Sequence, residues 1–88
     1  MMTRLVRMED VLTQALRPIR LVLKDESDLH AGHAGASDPR GETHIFLEIA
    51  SPQLEVLTRI EAHRRIHEIL KDEFDQGLHA LRIKILAS

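Results

Sequence analysis

The strongest constraint on the fold is the order in which short alternating segments and helical segments follow one another along 88 residues. In residues 19–24, 44–49 and 81–85, apolar side chains occupy every second position. That period is typical of a strand with one buried face. Helical patterns precede the first strand and separate the second from the third. The sequence therefore predicts an α+β chain with the order α-β-β-α-β.

Both predicted helices carry start or stop signals. The first is predicted over residues 3–16, where apolar residues recur at helical spacing: Leu5, Met8, Leu12 and Ala15. Pro18 ends this helix, because proline disfavours helical backbone in the residue before it. Thr58 and Glu61 fit a capping box at the start of the second helix. The apolar face of that helix comprises Ile66, Ile69, Leu70 and Phe74. Gly77 stands where a C-terminal cap belongs.

The connections between the strands fix how they pair. Residues 25–42 hold Asp, Ser, Gly and Pro without periodicity and are predicted to form a flexible loop. Strands joined by a loop alone pair antiparallel, whereas strands joined through a helix form a parallel, right-handed crossover. We therefore expect one domain over residues 1–88, with a three-stranded mixed sheet and its helices on one face.

This topology brings together histidines that are far apart in sequence. The loop, the start of the second strand and the start of the third strand all lie at one end of the sheet. His30, His33, His44 and His79 are therefore expected at one rim. Imidazole is a common ligand of transition metals. Because the chain has no cysteine, a site for a thiophilic metal would need sulfur from a partner.

Composition excludes several classes of protein. A chain without cysteine forms no disulfide and no self-contained iron–sulfur or cysteine–zinc site. A net charge of −2, with two phenylalanines and no tyrosine or tryptophan, is not typical of a strong nucleic-acid binder. No serine stands beside a suitable base, so we expect neither an enzyme nor a small-molecule substrate. We found no membrane-spanning run and no signal peptide, and we expect a cytoplasmic protein.

Four sequence pieces, in order, resemble the BolA family: DESDLHAGHAG at 25–35, ETH at 42–44, HR at 63–64 and GLHAL at 77–81. The resemblance covers nearly the whole chain. It implies an α-β-β-α-β fold akin to the class II KH domain. BolA-like proteins pair with monothiol glutaredoxins and share a [2Fe–2S] cluster with them, and they are also described as transcriptional regulators in stress response.

The resemblance also assigns residues. It places the family's C-terminal histidine ligand at His79 and its loop ligand at His30, with His33 as a second candidate. It implies that a glutaredoxin cysteine and glutathione supply the remaining ligands and that the chain alone holds no cofactor. The expected function is non-catalytic ligation of a shared cluster in iron homeostasis or cluster trafficking. A histidine-only zinc or iron binder that acts alone is a further interpretation.

The main alternative function is nucleic-acid binding through the KH-like surface. A weak basic face would comprise Arg64, Arg65, Lys71, Arg82 and Lys84. Any DNA binding by this face is expected to be weak and steeply dependent on salt. Two departures from the family lie in the segment usually invoked for DNA contact, Leu54-Glu55-Val56 in place of Phe-x-Gly and Ala62-His63-Arg64 in place of Arg-His-Arg.

Two further motifs have simpler interpretations. His63 and His67 have the i, i+4 spacing of a helical zinc pair, but Arg64 stands where a metalloprotease has glutamate. We interpret them as histidines of the helix surface or the core edge. The GxxG signature at residues 32–35 lies between two strands, whereas in KH domains it joins two helices. We interpret it as part of the flexible loop.

Overall fold

A computed structural model of the chain describes residues 3–26 and 43–88. In this part of the chain the elements are α1 (Arg4–Leu16), β1 (Arg20–Asp25), β2 (His44–Ala50), α2 (Pro52–Glu55), α3 (Arg59–Ile69), α4 (Lys71–Asp75) and β3 (Ala80–Ile85). The predicted loop over residues 25–42 lies mostly outside the described residues. Only its first two residues are described, and Asp25 ends β1.

The three described strands form one mixed sheet in the order β1-β2-β3. β1 pairs antiparallel with β2, with Leu23 opposite Leu47, and β2 pairs parallel with β3, with Leu47 opposite Ile83. The predicted pairing is therefore confirmed in both directions. β2 lies in the centre of the sheet because it pairs with both other strands, with β1 across the loop connection and with β3 across the helical crossover.

One face of the sheet carries the core and the helices. The side chains of Ile45, Leu47 and Ile49 are at most 1% exposed. The residues of the outer strands that pack against the same core are Leu21, Leu23, Leu81, Ile83 and Ile85. From the helical layer the core receives Met8, Leu12, Leu16, Leu54, Ala62, Ile66 and Leu70. The even-numbered residues of β2 and β3 lie on the opposite, more exposed face.

The sequence prediction missed the short helix α2. In the sequence, Ser51-Pro52 indicates only the end of the second strand, but Ser51 is also a helix N-cap. Its hydroxyl oxygen accepts a hydrogen bond from the Gln53 amide at 3.2 Å. Proline in the first helical turn loses no hydrogen bond and has a helical φ already. The fully buried Ser51 hydroxyl also donates to the Leu16 carbonyl at 2.6 Å, which ties the end of α1 to the end of β2.

The predicted second helix is two helices, α3 and α4. The capping box at its start is confirmed, since the Thr58 side chain accepts from the Glu61 amide and the Glu61 carboxylate accepts from the Thr58 amide. At Leu70 the backbone leaves helical values, with φ −98° and ψ 10°, and the side chain is buried. A helical period cannot reveal such a break, because the apolar residues on both sides keep the same spacing.

Gly77 ends α4 as the sequence predicted. Its φ is +119°, a backbone conformation that strains residues with a Cβ atom. The Leu78 amide donates to the Glu73 carbonyl at 2.9 Å and the Gly77 amide donates to the Phe74 carbonyl at 3.4 Å. These two bonds form a Schellman motif, which satisfies the last carbonyls of the helix and turns the chain toward β3.

A buried carboxylate in α4 forms ion pairs with two arginines of α1. Glu73 is 7% exposed and accepts hydrogen bonds from Arg4 Nε at 3.0 Å and from Arg7 Nε at 2.8 Å. Arg4 also donates to the Gln76 carbonyl at 2.9 Å. The Arg7 guanidinium, followed by that of Arg4, holds the pKa of Glu73 below its ordinary value, although burial opposes the shift. The charges of α1 thus hold α4 in place.

None of the helices in the described part of the chain is long and apolar enough to cross a membrane.

We expect Glu73→Gln to lower the free energy of unfolding by about 2–3 kcal/mol, because two arginines then face a neutral group. Urea unfolding at pH 7 measures this loss. Glu68→Gln is the matched control, since the Glu68 side chain is 73% exposed and its loss is expected to cost under about 0.5 kcal/mol.

A comparison of the parent protein with Glu73→Gln at several pH values tests the pKa of Glu73. A lowered folded-state pKa stabilises the protein above the unfolded pKa of about 4.3, and this stabilisation is lost as the pH falls toward the folded-state value. The difference between the parent and Glu73→Gln should therefore shrink as the pH falls below about 4. A difference that stays constant with pH would contradict a stabilising charge at Glu73.

Candidate metal centre at the start of strands β2 and β3

The starts of β2 and β3 are joined through one backbone carbonyl. The Thr43 carbonyl accepts hydrogen bonds from the His79 amide at 2.8 Å and from the Ala80 amide at 3.1 Å. His44 lies opposite Ala80 in the parallel register. We call Thr43, His44, His79 and Ala80 the strand-start rim. The predicted convergence of the two strand starts is confirmed, although Thr43 and His79 are 36 positions apart in sequence.

The rim brings two imidazole rings together. The ring centroids of His44 and His79 are 6.0 Å apart, and their planes are inclined by 56°. His79 is exposed and His44 is partly exposed. Two of the four histidines that the sequence predicts at this rim are therefore neighbours. His30 and His33 lie outside the described residues.

Thr43 orients the His44 ring. Its side-chain oxygen lies 2.9 Å from His44 Nδ1, and Thr43 itself is 5% exposed. A hydroxyl can donate to or accept from an imidazole nitrogen, so this contact suits either tautomer of the ring. When Nδ1 carries the proton and donates to Thr43, the Nε2 lone pair is the one that can bind a metal.

The β1 end of the described chain meets the same rim. The Glu26 amide donates to the His44 carbonyl at 2.7 Å, and Asp25 lies opposite Ile45. Residues 26 and 43, which flank the undescribed segment, therefore both lie beside the start of β2. In sequence, His30 follows Glu26 by four positions.

The side chain of His79 does not continue the core face of β3. Because Leu81 and Ile83 pack against the core, strand parity predicts that His79 points toward the helices, where it would bond a helix carbonyl. The structure instead has His79 exposed, one residue before β3 begins, with its ring against that of His44. The chain has turned at Gly77, and at His79 only the backbone amide is bonded to the residue that precedes β2.

The chemistry of these donors fits a shared centre. In the described residues 3–26 and 43–88, no group of three or more His, Cys, Asp or Glu side chains could hold a metal ion. The two imidazoles of the rim are fewer donors than the four ligands of a closed structural metal site. Iron in a [2Fe–2S] cluster accepts two histidines on one iron, with cysteine sulfur on the other. The two rings alone therefore do not form a complete metal site.

His63 and His67 on α3 have other contacts. His63 Nδ1 lies 2.9 Å from the Arg59 carbonyl of the preceding turn. The His67 ring stacks on Phe74, with centroids 5.1 Å apart and planes inclined by 18°. They line an open hollow on the surface of α3 with Arg59, Ile60 and Arg64. These contacts agree with the interpretation of both residues as histidines of the helix surface or core edge.

The predicted basic residues are spread over several elements and lie among acidic groups. Arg82 bonds Glu26 at 2.7 Å and lies 4.1 Å above the Phe46 ring. Lys71 pairs with Asp75 at 3.2 Å, and Arg65 lies 3.8 Å from Glu68. Lys84 stands opposite Glu48 in the register. Arg64 is an exposed residue of α3. Neighbouring carboxylates weaken the attraction of these cations for a phosphate backbone.

Sequence reasoning located His44 at this rim but did not select it as a site residue. The contact between His44 and His79 follows from the parallel pairing of β2 with β3. His44 lies opposite Ala80, so the preceding residue, His79, lies close to His44. The Thr43 hydroxyl left no signal in the pattern.

Comparison with known proteins identifies the family. The model of the BolA-like protein family matches residues 12–88. The chain is 41% identical over 81 residues to the Arabidopsis thaliana protein BOLA1, chloroplastic, and this match covers 91% of the chain and 51% of that protein. It is 41% identical over 85 residues to the UV-induced protein uvi31 of Schizosaccharomyces pombe, covering 93% of the chain and 82% of the relative.

Solved structures agree with this assignment. The BolA domain of SufE1 from Arabidopsis thaliana superposes with a TM-score of 0.85 at 37% identity, covering 99% of this chain and 94% of that one. The chain belongs to the BolA-like protein family, with the α+β fold that the sequence predicted. It spans about half the length of the Arabidopsis BOLA1 protein. That relative is named chloroplastic, so the cytoplasmic location stays a prediction.

We expect His79→Ala to leave the fold intact, because the side chain is exposed and the backbone bond to Thr43 remains. The free energy of unfolding should change by less than about 0.5 kcal/mol. Leu78→Ala is the matched control one residue earlier, where a side chain only 3% exposed is removed at a cost of about 2–4 kcal/mol. Equal losses in the two variants would show that His79 is a structural residue.

Proposed function

We propose that this chain is a non-catalytic partner of a monothiol glutaredoxin and that it donates histidine ligands to a [2Fe–2S] cluster shared between the two proteins. The observation that carries the proposal is the exposed His79 beside His44 in a BolA-like chain without cysteine. The role would lie in iron homeostasis or cluster trafficking.

Ligand chemistry supports a shared cluster. Four protein or cofactor ligands complete a [2Fe–2S] cluster, and imidazoles replace thiolates in some of them. This chain can offer imidazoles but no thiolate. In the proposal, a glutaredoxin cysteine and the thiol of glutathione provide the sulfur. His79 is one histidine ligand, and the resemblance to the family assigns the other to His30 or His33.

The proposal also explains why a lone chain would be a poor metal binder. Two neighbouring imidazoles give an ion fewer ligands than the four of a closed structural site. We therefore expect the isolated chain to have little affinity for iron or zinc without its partner. A histidine-only metalloprotein acting alone would require strong binding by the chain itself.

Nucleic-acid binding is the second candidate function. The observation that favours it is a cleft of about 640 Å³ between α3 and β3, where Arg59 and Lys84 are among the lining residues. Against it, Glu55 lines the same cleft, and three of the predicted basic residues pair with carboxylates. The shared-cluster role therefore has the stronger support.

The test is visible absorption and circular dichroism of the chain mixed with a monothiol glutaredoxin, glutathione, iron and sulfide. We expect a spectrum distinct from that of the glutaredoxin homodimer, and we expect it to be absent with His79→Ala. The double variant His63→Ala, His67→Ala is the matched control, because it removes two imidazoles from α3 and should keep the spectrum.

Two results would contradict the proposal. A spectrum of the parent mixture identical to that of glutaredoxin alone would mean that this chain provides no ligand, and DNA binding would become the leading candidate. An unchanged spectrum with His79→Ala would remove His79 from the site even if a hetero-complex forms.

A further inference from the structure

We propose that the outer edge of β1 and the hollow between α1 and β1 bind an extended segment of a partner protein, in which acidic and apolar residues alternate. The segment would join the sheet as an added strand. This surface differs from the strand-start rim, and the inference does not depend on the shared-cluster function. Three features support it, namely the edge of the sheet, the apolar hollow beside that edge and the positive charges of β1.

The backbone of β1 turns hydrogen-bonding groups away from the sheet. In the described sheet β1 is at one end of the strand order, and β2 is its neighbour. The Glu26 amide bonds the carbonyl of His44, which lies opposite it where the register continues past β1. Because alternate residues of an antiparallel strand bond the same neighbour, the even-numbered residues of β1 bond β2. The N–H and C=O groups of Leu21 and Leu23 therefore point outward, as an added strand requires.

An apolar hollow lies beside this edge on the helix side of the sheet. It has a volume of about 250 Å³ and is lined by Leu5, Val6, Glu9, Leu21 and Leu23. Val6 is 43% exposed, whereas the two leucines of β1 are partly buried. Side chains alternate between the two faces of a strand, so every second residue of an added segment would point toward this hollow. Apolar side chains suit those positions, since four of the five lining residues are apolar.

The opposite face of β1 carries positive charge. Arg20 and Lys24 are both exposed there. Arg20 pairs with Glu48 at 2.8 Å, but its side chain remains 57% exposed. Lys24 stands opposite Phe46 in the register, so its cross-strand neighbour is not a carboxylate. Acidic side chains on this face of an added strand would lie near both cations, and opposite charges on neighbouring strands stabilise their pairing.

The same charges argue against a second copy of this chain as the occupant. If the outward-facing groups of two β1 strands bond each other antiparallel, Leu21 of one copy lies opposite Leu23 of the other. Arg20 of each copy then lies opposite Lys24 of the other. Like charges at directly opposed positions destabilise strand pairing, and lysine on an edge strand is a common protection against self-association. A segment of alternating acidic and apolar residues suits both faces.

Peptide titration of the ¹⁵N-labelled full chain, followed by nuclear magnetic resonance, tests the proposal. The probe is a short acetylated and amidated peptide in which glutamate alternates with valine. We expect saturable shifts centred on the amides of Leu21 and Leu23, and protection of these two amides from hydrogen exchange in the complex. A control peptide with lysine in place of glutamate should bind at least about tenfold more weakly, because its charges oppose those of β1.

Matched variants separate the edge of β1 from general surface charge. Lys24→Glu should weaken binding of the glutamate peptide about tenfold. Lys84→Glu makes the same change of charge on the other outer strand and should alter binding less than about twofold. Val6→Gln should weaken binding about fivefold, since it places an amide in the hollow. Val11→Gln is its control, because Val11 is 39% exposed and lines a different hollow of α1.

Urea unfolding verifies that each variant is folded before its binding is compared. Absence of saturable shifts at Leu21 and Leu23 at millimolar peptide concentration would overturn the proposal, as would shifts centred on the cleft between α3 and β3. Equal weakening by Lys24→Glu and Lys84→Glu would show a nonspecific attraction of charge and would also overturn it. Shifts at Leu21 that depend on the concentration of the chain without peptide would make a second copy the occupant instead.

Discussion

The parallel pairing of β2 with β3 is the constraint on which the rest of the structure depends. It requires a crossover from one end of the sheet to the other, and α2, α3 and α4 supply that crossover. Together with α1, these helices form the layer that packs with Ile45, Leu47 and Ile49 of β2 in one core. Because parallel strands begin at the same end, the pairing also sets His44 and His79 side by side. The pairing of β2 with β3 therefore determines the positions of both the core residues of β2 and the histidines of the candidate site.

Polar contacts position the crossover. The Ser51 hydroxyl holds the end of α1 against the end of β2, and Glu73 holds α4 against the two arginines of α1. Gly77 then turns the chain into β3 through its positive φ. None of these contacts involves the side chain of His79, which is exposed. The exposed side chain of His79 can therefore be removed with little effect on the stability of the fold.

The spacing of apolar residues in the sequence predicts the helices and strands of this chain better than it predicts the residues that connect them. The strands and α1 follow from the spacing of apolar residues, which reports burial directly. The break at Leu70 does not, since it accompanies contacts such as Glu73 with Arg4, 69 positions away. Ser51-Pro52 follows the end of β2 and also begins α2. The sequence pattern indicates only the end of the strand.

In the candidate site, too, the sequence predicts some features and not others. Topology places His44 and His79 at one rim, because strand order and direction follow from the lengths of the connections. Strand parity fails for His79, since this residue lies one position before β3 and its side chain is exposed, although its amide already bonds the Thr43 carbonyl. The Thr43 side chain has no periodic signature in the sequence, so only the structure shows its contact with His44.

We expect a mixed ligand set, in which this chain supplies nitrogen and the glutaredoxin with its glutathione supplies sulfur. Isotope labelling separates these sources because this chain has six histidines and no cysteine. The decisive measurement is pulsed electron paramagnetic resonance of the reduced hetero-complex, prepared with ¹⁵N-histidine in this chain alone. Two strongly coupled ¹⁵N nuclei would establish that it donates two imidazoles to the cluster. A spectrum without ¹⁵N coupling would contradict the central claim.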